Sequence, residues 1–220
     1  MSSLSAQVGD RRITPQNAAV LMIDHQAGLC QLVRDYPVDI FKQNVLALAD
    51  TAKLFKMKTI LTTSFEAGPN GPLVPELKET FADAPYIARP GQINAWDNED
   101  FVKAVKDTGC KKLIMAGIVL DVCVVFPALA ALAEGYEVYV VVDACGTFNE
   151  GVRDAALARL SSAGAVLINW FALACELQRD WRNNGEAMAK LCSKHLPDYG
   201  NLFASYNYAT AAATNAVLGK

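Results

Sequence analysis

The chain has 220 residues, of which 52% are hydrophobic and 20% charged, and its formal net charge at pH 7 is −3. That length suits one α/β domain with a full core. The small negative charge and the absence of a Lys/Arg cluster argue against a nucleic-acid or acidic-membrane partner. No apolar run is long and continuous enough to span a bilayer, and residues 1–17 lack the apolar segment of a secretory signal.

The first half of the chain alternates short apolar runs with helical patterns. An apolar run closed by a charged or turn residue predicts a buried strand, and apolar residues three or four apart predict a helix. The predicted elements are a strand at 19–23, a helix at 38–56, a strand at 58–63, a loop at 64–75 and a short strand at 85–88.

The second half continues the alternation, which predicts one parallel sheet covered by helices on both faces. Its predicted elements are a helix at 98–108, a strand at 113–118, a helix at 121–134, a strand at 136–142, a helix at 151–163, a strand at 165–169 and a helix at 170–191. Residues 193–220 lack a clear pattern and are predicted to be irregular. No linker divides the chain, so residues 1–220 are predicted to form one domain.

Reactive and polar residues follow several of the predicted strands. In a parallel α/β sheet, the ligand crevice lies outside the carboxyl ends of the strands. Asp24, Arg89 and Cys123 each follow a different strand. We therefore expect these three residues to meet at one edge of the sheet.

Cys123 is the candidate nucleophile. It lies in the first turn of a predicted helix, where free N–H groups and the helix dipole favour a thiolate. Asp24 is the candidate base, and Arg89 is a cation that can hold it. The backbone N–H groups of Leu120 and Cys123 are candidates for an oxyanion hole.

Each of these residues also has a structural interpretation. Cys123 can be a buried structural thiol, Asp24 a turn cap, and Arg89 a surface ion-pair partner. Phe65, Glu66, Trp96 and Val119 are candidates for the substrate pocket. Any of the four can instead serve packing alone.

Metal and nucleotide sites lack a signal. The chain has two histidines, His25 and His195, and no cluster with zinc-ligand spacing, and it has no glycine-rich phosphate loop. We predict no cofactor. The six cysteines, at 30, 110, 123, 145, 175 and 192, form no CxxC pair, which favours free thiols and a cytoplasmic location.

Several segments together resemble the isochorismatase-like cysteine hydrolases, in particular the YcaC-like branch. They are VLMIDHQ, IARPGQINAW, AGIVLDVCV, VDACGTFNE and FALACELQRDWRN. The resemblance implies a three-layer α/β/α sandwich around a six-stranded parallel sheet. It also implies an Asp–Lys–Cys triad that falls on Asp24, position 89 and Cys123, with Arg89 standing where the family pattern has lysine.

The resemblance implies further properties. A cis peptide is expected at Val119–Leu120. A large homo-oligomer, often an octamer, is also expected, with the predicted helix at 170–191 and the tail at 193–220 as candidate interface elements. The implied activity is metal-independent hydrolysis of a C–N bond in a small amide through a Cys123 thioester. A degenerate small-molecule binder or scaffold, a nitrile hydrolase, and a site in which Arg89 binds a substrate carboxylate or carbonyl remain as alternatives.

Overall fold

The structure is a computed structural model that describes residues 12–217. Its centre is a six-stranded parallel sheet in the order β3-β2-β1-β4-β5-β6. The strands are β1 (Ala18–Ile23), β2 (Lys58–Ser64), β3 (Tyr86–Arg89), β4 (Lys112–Gly117), β5 (Glu137–Val141) and β6 (Val166–Ile168).

Helices connect successive strands and continue beyond the last one. They are α1 (Val38–Leu54), α2 (Pro75–Thr80), α3 (Glu99–Asp107), α4 (Val125–Ala133), α5 (Glu150–Ser162), α6 (Trp170–Gln178), α7 (Gly185–His195) and α8 (Pro197–Val217). Short 3₁₀ turns cover Leu29–Leu32, Ala95–Asp97 and Val142–Ala144, and a π-helical turn covers Leu120–Val124.

The two central strands, β1 and β4, are buried along their whole length. A strand in which consecutive residues are all buried must be covered on both faces, because successive side chains point to opposite sides of the sheet. The six-stranded parallel α/β architecture predicted from the sequence is therefore confirmed.

The strand order reverses between β1 and β4. From β1 the chain builds outward through β2 and β3, and from β4 it builds to the other side through β5 and β6. Connections therefore leave the two central strands in opposite directions, which opens a crevice at their carboxyl ends. Ile23 is in register with both Thr62 and Gly117, so these strands end at a common level.

All six predicted strands are present, but the predictions for three of the segments that follow strands need correction. The loop after β2 leads into a helix, Pro75–Thr80, that the sequence analysis missed. The predicted helix at 170–191 is broken between α6 and α7, where Arg179 and Asn184 adopt left-handed φ angles of 60° and 55°. Residues 193–217 are mostly helical rather than irregular.

Within residues 12–217, the structure divides into two compact units, and the division lies between Leu177 and Gln178. The prediction that residues 1–220 form one domain, with residues 193–220 as a tail, stays a prediction. Within residues 12–217, no helix has the length and apolarity needed to cross a membrane.

Gly117, the last residue of β4, permits the close approach of β1 and β4 beneath the crevice. A Cβ atom added there would lie 2.3 Å from the backbone oxygen of Ile23. We expect Gly117→Ala to lower the free energy of unfolding by about 2–3 kcal/mol, because backbone must move to relieve the overlap. Urea denaturation at one fixed protein concentration measures the change.

Gly91→Ala is the matched control, because a Cβ at Gly91 would meet no atom within 4 Å. It should leave the denaturation midpoint almost unchanged. Equal midpoints for the two variants would contradict the steric explanation.

Candidate active site

Asp24 and Arg89 form an ion pair inside the protein. Nη2 of Arg89 donates to Oδ1 of Asp24 at 2.5 Å and to Oδ2 at 2.6 Å, and both side chains are fully buried. Burying an isolated charge is costly, so each group depends on the other for its charged state. The two residues that the sequence placed at one edge of the sheet are therefore in direct contact.

The length of arginine makes this contact possible. Arg89 ends β3 and Asp24 follows β1, and β2 lies between them. Strands are about 4.8 Å apart, so the two backbones are separated by roughly 10 Å. The guanidinium crosses β2, where its Nε donates to Oγ1 of Thr62 at 3.2 Å and to the backbone oxygen of Thr63 at 3.3 Å.

The Arg89 guanidinium has no N–H group left for a ligand. Besides the bonds of Nη2 and Nε, Nη1 donates to the backbone oxygens of Gln92 at 2.8 Å and Ile93 at 3.4 Å. The proposal that Arg89 binds a substrate carboxylate or carbonyl is therefore wrong for this structure. Its donors are committed to Asp24 and to the loop after β3.

Cys123 lies in the π-helical turn that follows β4, beside β1. Its thiol hydrogen-bonds the carboxylate of Asp24. Its side chain reaches the edge of the core, where 9% of the residue remains exposed. Asp24, Arg89 and Cys123 thus form one connected group with the carboxyl in the middle.

The pKa of the Cys123 thiol is raised to about 12, mainly by burial and then by the negative charge and hydrogen bond of Asp24. The expectation that the helix start would favour a thiolate is therefore wrong. The α-helix itself begins only at Val125, after the π-helical turn, and burial outweighs the dipole. At neutral pH the thiol keeps its proton and points it at a carboxylate.

Burial also raises the pKa of Asp24, and the charge and hydrogen bond of Arg89 oppose that rise. Burial makes the carboxylate a stronger base than an exposed one, while Arg89 favours its ionised form. The combination suits a group that must accept a proton from a weakly acidic thiol.

The backbone N–H groups predicted to bind an oxyanion are already engaged. The N–H of Leu120 donates to the oxygen of Gly146 at 3.0 Å, and that of Cys123 to the oxygen of Val119 at 2.9 Å. The cis peptide lies at Ile118–Val119, one residue before the expected position. The backbone N–H of Val119 donates a hydrogen bond to the thiol of Cys123, which opposes the rise in the pKa of Cys123.

Phe65 and Glu66 follow β2 at the same edge of the sheet. Phe65 has a left-handed φ of 51° and is 49% exposed, and its N–H donates to the oxygen of Arg89 at 3.0 Å. Glu66 accepts a hydrogen bond from the hydroxyl of Tyr86 on β3. Their place in a substrate pocket stays a prediction.

Trp96 lies away from this edge, so its assignment to the substrate pocket is wrong. Its Nε1 donates to Glu134 at 2.7 Å, and its ring packs edge-to-face on Tyr136 at 5.7 Å. Tyr136 directly precedes β5, which places the contact at the amino-terminal edge of the sheet. The loop therefore begins near the site, at the end of β3, but places the Trp96 side chain away from it.

Gln26 was not predicted as a site residue, but it is fully buried and holds the loop after β2 in place. Its amide nitrogen donates to the oxygens of Ser64 at 3.0 Å and Gly71 at 2.5 Å, and its oxygen accepts from the N–H of Ser64 at 2.8 Å. The only available signal was an amide two residues after Asp24.

Within residues 12–217, no three His, Cys, Asp or Glu side chains cluster closely enough to hold a metal ion.

The charge of Asp24 should control the reactivity of Cys123. We expect Asp24→Asn to lower the pKa of Cys123 by at least about one unit, because it removes a negative charge beside the thiol while Arg89 stays positive. Alkylation of Cys123 by iodoacetamide, followed by peptide mass spectrometry from pH 7 to 11, measures this. The rate should rise at lower pH in the variant than in the parent.

Asp121→Asn is the matched control. Asp121 lies two residues before Cys123 but accepts from the hydroxyl of Thr147 at 2.6 Å and does not contribute to the pKa of the thiol. Its alkylation profile should match the parent. An unchanged profile in a folded Asp24→Asn variant would refute the coupling.

Comparisons with known proteins agree with this architecture. The sequence model of the isochorismatase domain matches residues 18–171. The Escherichia coli (strain K12) protein named "Probable hydrolase YcaC" is 65% identical over 199 residues, covering 90% of this chain and 96% of that protein. Its crystal structure is described as an octameric hydrolase of unknown specificity.

Solved structures give the same result. YcaC from Pseudomonas aeruginosa, with hexane-2,5-diol and covalent acrylamide, superposes with a TM-score of 0.89 at 65% identity, covering 90% of this chain and 98% of that one. Nicotinamidase PncA from Bacillus subtilis shares the fold alone, with a TM-score of 0.60 at 16% identity over 70% of this chain and 99% of that one. The chain belongs to the isochorismatase family of hydrolases.

Proposed function

We propose that this protein is a metal-independent cysteine hydrolase that cleaves the C–N bond of a small amide. The observation that carries the proposal is the connected group of thiol, carboxyl and guanidinium at the reversal of strand order. A protonated thiol that donates to a buried carboxylate can lose its proton as it attacks, without first becoming a free thiolate.

The proposed reaction begins when Sγ of Cys123 attacks the amide carbonyl and its proton passes to Asp24. The N–H of Val119, which contacts the thiol in the resting protein, takes the place predicted for Leu120 and Cys123. It leaves the sulfur as the C–S bond forms and donates to the developing oxyanion beside it. Asp24 then returns the proton to the leaving amine as the C–N bond breaks, which leaves a thioester on Cys123.

Water completes the cycle. Asp24 removes a proton from water as it attacks the thioester, and the thiol recovers that proton when the acid leaves. The sum is amide plus water to carboxylic acid plus amine. Arg89 moves no proton in this scheme, because guanidinium stays protonated at any working pH. It keeps Asp24 ionised between steps.

Replacing Cys123 tests the chemistry. We expect Cys123→Ala to lose at least about 1,000-fold in kcat on any amide the parent hydrolyses, because the covalent route is removed. The substrate comes from a screen of small amides and nitriles, with mass spectrometry of the quenched parent to find an acyl group on the Cys123 peptide.

Cys175→Ala is the control, because Cys175 is also a half-buried thiol whose pKa burial raises, yet no carboxylate affects it. It should retain full activity and full acylation. Full turnover by Cys123→Ala would end the proposal.

A non-catalytic binder or scaffold is the second candidate. The observation that favours it is the high pKa of Cys123, since a thiol held at about 12 is inert unless the neighbouring base acts. A parent protein that neither turns over nor acquires an acyl group across the screen would favour this candidate. A nitrile hydrolase would instead acquire a thioimidate on Cys123.

We further propose that the chain forms an octamer, as described for its Escherichia coli relative. Helix α8 exposes Leu202 (58%) and Tyr206 (65%), one helical turn apart. Exposed apolar residues on one helix face commonly mark a contact between chains. The free thiols of Cys30, Cys110, Cys123, Cys145 and Cys175 also support the proposal of a cytoplasmic location.

Light scattering tests the assembly. The parent should have eight times the mass of one chain, and the double variant Leu202→Asp, Tyr206→Asp should have a smaller mass. Ala204→Asp places one negative charge on the opposite face of α8 and should leave the mass unchanged. A monomeric parent at micromolar concentration would rule out the octamer.

A further inference from the structure

A cavity of about 280 Å³ lies beside His25, between helix α1 and the start of helix α2. Its wall is mostly apolar and includes Val33, Val38, Phe41, Val45, Leu46 and Val74. A cavity of this size, lined by apolar side chains with a few polar groups, is typical of small-molecule sites.

His25 supplies a polar atom that the fold leaves unused. The residue is 1% exposed, and its Nε2 lies 3.1 Å from the backbone oxygen of Ala144. A carbonyl oxygen only accepts, so Nε2 carries the hydrogen and Nδ1 of the neutral ring presents a lone pair. Among the described residues, 12–217, Nδ1 has no hydrogen-bond partner.

The surroundings of His25 keep its ring neutral and fixed. Burial lowers the pKa of His25 to about 4, so the ring stays uncharged at neutral pH. The ring stacks on Phe41, with a centroid separation of 6.4 Å and an interplanar angle of 21°. A buried acceptor without a donor is costly, and a ligand that donates to it would recover that cost.

The charges that line the cavity cancel. Lys42 and Glu76 pair with each other at 2.5 Å, and both side chains are partly exposed. A charged ligand would compete with this pair, whereas a neutral one would not. The chemistry of the wall therefore suits a neutral ligand with an apolar body and one hydrogen-bond donor.

We propose that this cavity is a second ligand site, in which Nδ1 of His25 accepts a hydrogen bond from the O–H or N–H group of a small neutral molecule. The site is separate from the catalytic group. Asp24 directs its carboxyl to Arg89 and Cys123, whereas the ring of His25 lies toward Ala144 and Phe41, and Cys123 does not line the cavity.

A pair of probes tests the donor requirement. p-Cresol and 4-fluorotoluene have nearly the same shape, but only p-cresol can donate a hydrogen bond. Ligand-observed NMR titration of the full chain should show p-cresol binding about five- to tenfold more tightly, the effect of one net hydrogen bond. Simple hydrophobic partition would favour the fluorinated probe instead.

Variants locate the binding. Leu46→Phe should fill the cavity and weaken p-cresol binding at least about tenfold, whereas Ile40→Phe adds the same ring at an exposed position of α1 that does not line the cavity. Ile40→Phe should bind like the parent. Equal binding by Leu46→Phe and the parent would overturn the site.

Glu76 and Gln31 also carry acceptor oxygens at the cavity, and Glu76→Met and Gln31→Met remove them. The preference for p-cresol should survive both variants and disappear in His25→Phe. Loss of the preference in either methionine variant, or its absence in the parent, would overturn the role of His25. Because both side chains reach the surface, these variants decide the assignment even where His25→Phe does not fold.

Discussion

The buried ion pair of Asp24 and Arg89 is the contact on which the candidate site depends. It connects β1 to β3 across β2, and through the backbone oxygens of Gln92 and Ile93 it also fixes the loop after β3. Either charge without the other would be strongly destabilising in this interior. Removing one partner would therefore disturb the charge of the other, the loop and the thiol together.

Much of the fold was predictable because its signals are local. Short apolar runs that alternate with helical patterns specify a parallel α/β sheet, and the rule for strand ends then brings Asp24, Arg89 and Cys123 together without any pairwise signal. The position of a residue on a loop was not predictable in the same way, because it depends on the course of the loop in three dimensions. Trp96 follows β3 closely in sequence, but its loop carries it to the amino-terminal edge.

The state of Cys123 shows a second limit of sequence reasoning. A helix start is visible in a sequence, but the degree of burial and the nearest charge are not. In the structure these two effects dominate and raise the pKa of the thiol. The sequence also could not show that the backbone N–H groups of Leu120 and Cys123 are already engaged. They donate to the oxygens of Gly146 and Val119, and no local sequence pattern predicts these two hydrogen bonds.

All N–H groups of the Arg89 guanidinium are hydrogen-bonded, and the choice of arginine affects how the enzyme would respond to alkaline conditions. A lysine at position 89 would lose its proton near pH 10 and leave Asp24 without a counter-charge, whereas arginine holds its charge well beyond that pH. The upper end of the working pH range is then set by the thiol and the stability of the fold rather than by the cation. With arginine, the positive charge beside the carboxyl of Asp24 does not change over the working pH range.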